Sequence, residues 1–219
     1  MRSPEATRQK ILLIAAEEIH YRGFKATSLA DILASAEISK GALYHHFKNK
    51  IELGYAVMEE VFMPMFNQPW QQAYEHEDPL GVIAEIIRQM PQNVDEHTLE
   101  SGCPMINMCN EMSTVDEGFR QRIETLFEAF VNKLAQEMPR SGLREDVNPL
   151  HAAMFILASM QGSVMIIKGC RCRETFQILS DELAQYVLGL RSQESKANAK
   201  KIILKPFVCP AVQLSERFK

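Results

Sequence analysis

The stretch from Ser39 through Lys40, Gly41, Ala42, Leu43, Tyr44, His45 and His46 to Phe47 sets a cation, a phenol and an imidazole beside two residues with almost no side chain. Such polar groups bond phosphate oxygens, and a bare backbone at Gly41 and Ala42 lets a helix come close to another surface. A helix of about seven residues is too short to be stable alone, so its meaning lies in what it displays. Lys48 and Lys50 follow directly, while Thr27 or Ser28 caps the helix before it, where free N–H groups and a positive dipole end favour an anion. The chemistry indicated is contact with a nucleic-acid backbone and base edges. Its candidate set is Thr27, Ser28, Ser39, Lys40, Gly41, Ala42, Tyr44, His45, Lys48 and Lys50. Without Gly41 and the flanking lysines, the aromatic run would read as a small core patch. Leu43 and Phe47, four residues apart, give the helix one apolar edge.

These groups need a frame, and the periodicity supplies one. Ile11, Ile14, Ala15 and Ile19 recur at helical spacing between Pro4 and Arg22, and Gly23 then ends that helix where a left-handed backbone is needed. Leu29, Ile32 and Leu33 mark a short second helix, residues 35–37 a turn, and Ser39 the cap of the third. Two short helices joined by a tight turn have the helix-turn-helix geometry for a major groove. Asn49 with Glu52 opens a long fourth helix that Pro64 and Pro69 should close. Further helices are expected from Asp78-Pro79, over 102–112, over 116–137, from Asn148-Pro149 to about Lys168, and along Phe176, Leu179, Leu183, Val187 and Leu190.

No stretch alternates apolar and polar residues as a half-buried strand would, so the fold class expected is all-α. It comprises an N-terminal three-helix domain with the helix-turn-helix (1–48), a larger C-terminal helical domain for ligand binding and dimerisation (49–191), and a linker with an unassigned tail (192–219). The whole chain carries a net charge of −4, yet its first fifty residues hold eight Lys and Arg against five Asp and Glu. The two ends therefore differ in character. Polar residues break up the first turns, so no export signal is expected and the location is cytoplasmic. The apolar run from Leu150 to Ile167 approaches the length of a membrane span, but Ser159, Gln161 and Ser163 would then lie at its centre, and a buried helix is the better reading.

From Thr27 to Lys50, and above all over residues 39–47 followed by Lys48, Lys50 and Glu52, the chain resembles the TetR family of bacterial transcriptional regulators. The resemblance implies that Lys40, Ala42 and Tyr44 lie against the groove of operator DNA while Thr27, His45 and Lys50 hold phosphates. The wide apolar faces over Leu150 to Ile167 and Phe176 to Leu190 predict a homodimer joined through these last two long helices. The long fourth helix, together with the family analogy, points to a small-molecule effector whose binding releases a repressor from its operator. Ala42 can offer a base edge no hydrogen bond, only contact with a thymine methyl.

In the C-terminal half, Phe62, Met105, Met108, Cys109, Phe127 and Met160 are candidates for an apolar effector site, because methionine lines adaptable pockets. Plain core filling explains the same residues equally well. The five cysteines, Cys103, Cys109, Cys170, Cys172 and Cys209, are expected as reduced thiols. Cys103 and Cys109, if on one helix, face different sides and cannot share a metal, and no other metal site or cofactor is expected. Lys168, Arg171 and Arg173 flank Cys170 and Cys172, so a thiol-based redox or electrophile sensor with the same DNA-binding output is the alternative. No nucleophile and base pair, HExxH or phosphate-binding glycine loop occurs at a recognisable spacing, so an enzyme is not expected.

Overall fold

A computed structural model of the chain describes residues 4–197 and 201–206. Cys209 and most of the tail lie outside these residues. In chain order the α-helices are α1 (Pro4–Arg22), α2 (Leu29–Ala36), α3 (Lys40–His46), α4 (Lys50–Val57), α5 (Met63–Asn67), α6 (Gln71–Glu75), α7 (Pro79–Gln89), α8 (Glu96–Ser101), α9 (Pro104–Met112), α10 (Glu117–Glu137), α11 (Pro149–Cys170), α12 (Arg173–Gly189) and α13 (Gln193–Ala197). Among the described residues there is no strand, only an isolated bridge between Leu143 and Arg191.

The chain forms two compact units. Described residues 4–66 and 104–125 make up the first, and 67–103 with 126–197 and 201–206 the second, the division falling inside α10. The expected border at residue 48 is therefore displaced. Leu53, Gly54, Ala56 and Val57 are buried and α4 packs on α1, so the fourth helix goes with the N-terminal three.

In the first unit, Ile11, Leu12, Ala15, Ala16 and Ile19 of α1 form the buried stripe on which α2, α3 and α4 pack. Gly23 ends α1 with φ +88° and its N–H on the Ile19 carbonyl at 2.9 Å, and Phe24 turns inward. Phe24 meets Phe119 edge to face, ring centres 5.1 Å apart, and both rings lie against Gly54, where a Cβ would come within 2.7 Å of each. A larger residue at 54 would thus force the aromatic pair apart.

The fourth helix does not stop at Pro64. After α4 comes one π-helical turn, Met58–Phe62, in which the Met63 N–H donates to the carbonyl of Met58 five residues back, and α5 follows. Pro64 has no N–H for the carbonyl of Glu60, and its ring would clash there in an unbroken α-helix. Widening the preceding turn removes that conflict.

In the second unit α7 packs along α12, and α12 along α11. Phe176, Ile167, Leu99 and Val94 form one apolar cluster, with Val164 and Met90 against it. Trp70 and Phe130, both buried, meet edge to face at 5.4 Å. Tyr74 is half-buried, and burial pushes its phenol up to about 12. Arg191 is buried and donates through Nη2 to both carboxylate oxygens of Asp78, at 2.7 and 2.5 Å, while Asp78 also accepts the Gly81 N–H at the start of α7.

Three further expectations change. Gly102 is the C-cap of α8 at φ +73°, so the helix expected over 102–112 begins at Pro104 and Cys103 is not on it with Cys109. The short helices α6 and α8 have too little periodicity to stand out in the sequence. The stretch after Arg191 is not all linker: Ser192 N–H donates to the Gly142 carbonyl, α13 follows, and Lys205 N–H donates to Gln72 Oε1.

Candidate nucleic-acid interface

The reading element is held by caps that its own sequence provides. Ser28 accepts the Asp31 N–H at 3.1 Å and Asp31 accepts the Ser28 N–H at 2.8 Å, a complete capping box that opens α2. Ser39 accepts the Ala42 N–H at 3.2 Å and opens α3. Asn49 accepts the Glu52 N–H at 2.9 Å and opens α4. Leu43 and Phe47 turn inward and are buried, which fixes the opposite edge of α3 outward.

That outward edge carries Lys40, Gly41, Tyr44 and His45, all exposed, with Ala42 half-buried beside them. Nothing lies closer to a Cβ built at Gly41 than Ser39 Oγ at 3.9 Å, so the helix surface there is open. The Lys40 ammonium lies 5.7 Å from the Tyr44 ring centre, and the His45 ring stands edge-on to His46 at 5.0 Å. An aromatic face under a cation limits both rotamers, so part of the ordering cost of a phosphate contact is already met.

Three of the flanking residues behave differently from one another. Thr27 is fully buried and its hydroxyl donates to the carbonyls of Glu18 and Gly23, at 3.1 and 2.9 Å; its side chain ties the α1–α2 turn and is not presented to a phosphate. Lys50 donates to the Lys25 carbonyl at 3.3 Å with its ammonium 4.5 Å from the Phe24 ring centre, and burial moves its pKa down. It braces the turn while remaining half-exposed. Lys48 is exposed and pairs with Glu52 at 3.5 Å.

Contacts remote in sequence position this element within the first unit. Glu111 of α9 accepts the N–H groups of Phe24 and Lys25, at 3.2 and 2.9 Å. The Tyr55 hydroxyl donates to Asp116 at 2.6 Å, a bond that raises the phenol pKa and lowers that of the carboxyl. Arg8 makes a two-pronged contact with Glu60, both bonds at 2.6 Å, and Arg122 bonds Glu59 at 2.8 Å. None of these pairs has a local signal in the sequence, since the partners are more than fifty residues apart.

The turn between α2 and α3 contains one strained residue. Glu37 has φ +51° and ψ +45°, the left-handed region in which a Cβ costs about 1 kcal/mol. Glu37→Gly should therefore raise stability by about 0.5–1 kcal/mol in urea unfolding. It also removes a negative charge next to the reading helix, so duplex affinity should rise, more so at low salt. Glu37→Ala keeps the strain and loses the charge, and should change affinity alone.

The candidates for an effector site fall in both units. Phe62, Met105 and Met108 are buried in the first, on the π turn and on α9, which pack on one another. Cys109 is half-buried there, its sulfur accepting the Ser113 hydroxyl at 3.5 Å. Phe127 and Met160 belong to the second unit, the first half-buried and the second buried. Among the described residues no cluster of His, Cys, Asp or Glu is arranged to hold a metal ion.

Comparison with known proteins gives two family matches. Residues 11–57 match the model of bacterial regulatory proteins of the tetR family, and residues 79–182 that of the C-terminal domain of LmrA/YxaF-like transcriptional regulators. The chain is 31% identical over 169 residues to an uncharacterized HTH-type transcriptional regulator in the lacX 3′ region of Lactococcus lactis, covering 74% of this chain and 83% of that one. It is 26% identical to the HTH-type transcriptional repressor DhaR of a Mycobacterium species, over 70% of this chain and 78% of the relative. A TetR-family regulator from Cytophaga hutchinsonii superposes with a TM-score of 0.77 at 18% identity, over 88% of this chain and 98% of that chain, a likeness of fold.

Proposed function

Because this chain belongs to the TetR family of DNA-binding transcriptional regulators, we propose that it is a cytoplasmic repressor that leaves its operator when a small apolar molecule binds its C-terminal domain. The observation that carries the DNA-binding part is the exposed edge of α3, where Lys40, Gly41, Tyr44 and His45 face outward over the buried Leu43 and Phe47. Repression is supported by relatives named as repressors.

A homodimer is the form in which α3 can meet two half-sites about 34–36 Å apart. Leu150, Met154, Phe155, Met165 and Ile166 on α11 and Ile178 and Tyr186 on α12 are large apolar side chains left exposed. Helix α11 is also long and apolar enough to cross a membrane by length and composition alone. In a family of DNA-binding regulators, a second copy covering these residues in an intersubunit bundle accounts for them better than lipid does.

Titrating apolar candidate effectors into an operator complex tests this reading. The expected result is two chains per operator and release by at least one compound that also binds the free protein. Operator affinity unchanged by every compound that binds would reject effector control. The thiol alternative keeps one supporting feature: Cys172 stands at the N-cap position of α12, where the Thr175 side chain and backbone lower its pKa. If release instead follows an oxidant or electrophile and disappears in Cys172→Ser, the input is a thiol reaction.

A further inference from the structure

Two buried polar atoms on helices that carry members of the second unit's apolar cluster have no hydrogen-bond partner among the described residues: the amide oxygen of Gln161 on α11 and the hydroxyl of Thr98 on α8. Gln161 is only 9% exposed, in the middle of the long apolar helix α11. One turn to either side on its face stand Leu157, which is buried, and Val164, which packs against Leu99, Ile167 and Phe176. Thr98 precedes Leu99 on α8, and α8 packs on α11. The other buried polar residue of this stretch, Ser163, is satisfied by the Ser159 carbonyl at 2.8 Å. A leucine or methionine at 161 would fill the same space with no polar atom to satisfy, so the unsatisfied amide requires an explanation of its own.

We propose that the Gln161 amide oxygen is the polar anchor of the effector site, accepting a hydrogen bond from a hydroxyl, phenol or N–H group on an otherwise apolar molecule whose body lies against the Leu99–Val164–Ile167 cluster. The inference rests on the effector reading above and adds the chemical class of the ligand: a neutral, mostly hydrocarbon compound with at least one donor. A site built around an acceptor discriminates by the donor, because a ligand without one leaves the amide unsatisfied on binding. The Thr98 hydroxyl, which can donate or accept, is a second group of the same region able to receive a polar atom of the ligand.

The test uses the full-length protein and two probes of one shape, 1-naphthol and 1-fluoronaphthalene, with Gln161→Met as the variant. Wild type should bind 1-naphthol about tenfold more tightly than the fluoro compound, the worth of one hydrogen bond. In the variant the ratio should fall to within about twofold, and the ligand-free variant should melt at or above the wild-type temperature. A wild type without the preference, or a variant that keeps it, overturns the proposal. So does a variant that melts several degrees lower, since the amide would then hold a structural partner such as the second subunit. Binding without discrimination removes only the anchor; if neither probe binds either protein, the ligand class proposed here falls, while the effector reading is decided by the operator titration above.

Discussion

Replacing Lys40 and Tyr44 together by alanine should lower operator affinity at least about a hundredfold at constant salt, because each side chain is lost from both half-sites and a specific contact is worth about 1–3 kcal/mol. Both side chains are exposed, Tyr44 at 44%, so the unfolding midpoint should hardly move. Fluorescence anisotropy with a labelled promoter duplex measures the first effect and a urea melt the second. The logarithm of affinity against that of salt concentration should flatten by about two units, one for each Lys40 removed. Lys50→Ala gives the contrast: its ammonium braces Phe24 and the Lys25 carbonyl, so a loss of stability should accompany any loss of affinity. Unchanged affinity in the double variant would take α3 out of the interface.

Asp78→Ala should destabilise the protein by about 3–5 kcal/mol, read as a lowered midpoint in urea. The substitution leaves the buried Arg191 guanidinium without its counter-charge and uncaps α7. The asymmetry of buried ion pairs supplies the control. Removing one partner strands a charge, whereas replacing both by groups of similar volume is close to neutral. Asp78→Asn with Arg191→Met keeps a capping side chain and should recover most of the loss. A double variant as unstable as Asp78→Ala would mean that the cost lies in packing around residue 191 and not in charge. Operator affinity of folded Asp78→Ala should match wild type, since both residues lie in the second unit and α3 in the first.

The caps show what was legible without coordinates. Gly23, Ser28, Ser39, Asn49, Asp78 and Asn148 each cap a helix end within three or four residues of themselves, so the sequence contains both partners of every capping bond, though not the Arg191 that also pairs with Asp78. The alternation of Lys40, Tyr44 and His45 with Leu43 and Phe47 is local in the same way, which is why the outward edge of α3 could be drawn before the structure. Of the two prolines expected to close the fourth helix, a π turn in front of Pro64 lets the chain continue past it, and the run ends at Asn67, just before Pro69.

By itself, the sequence determined the long helices, their caps and the outward edge of α3, because these depend on contacts a turn or less apart. Only the tertiary structure decided that Thr27 faces inward, that Lys50 lies against Phe24 and the Lys25 carbonyl, that Glu111 and Asp116 bind the turn and α4, and that the Gln161 amide oxygen is buried without a partner. Those outcomes depend on which residues beyond the nearest turn arrive beside them, from nine positions away for Thr27 and Glu18 to 87 for Phe24 and Glu111. No periodicity encodes that, and only the packing of apolar faces fixes it.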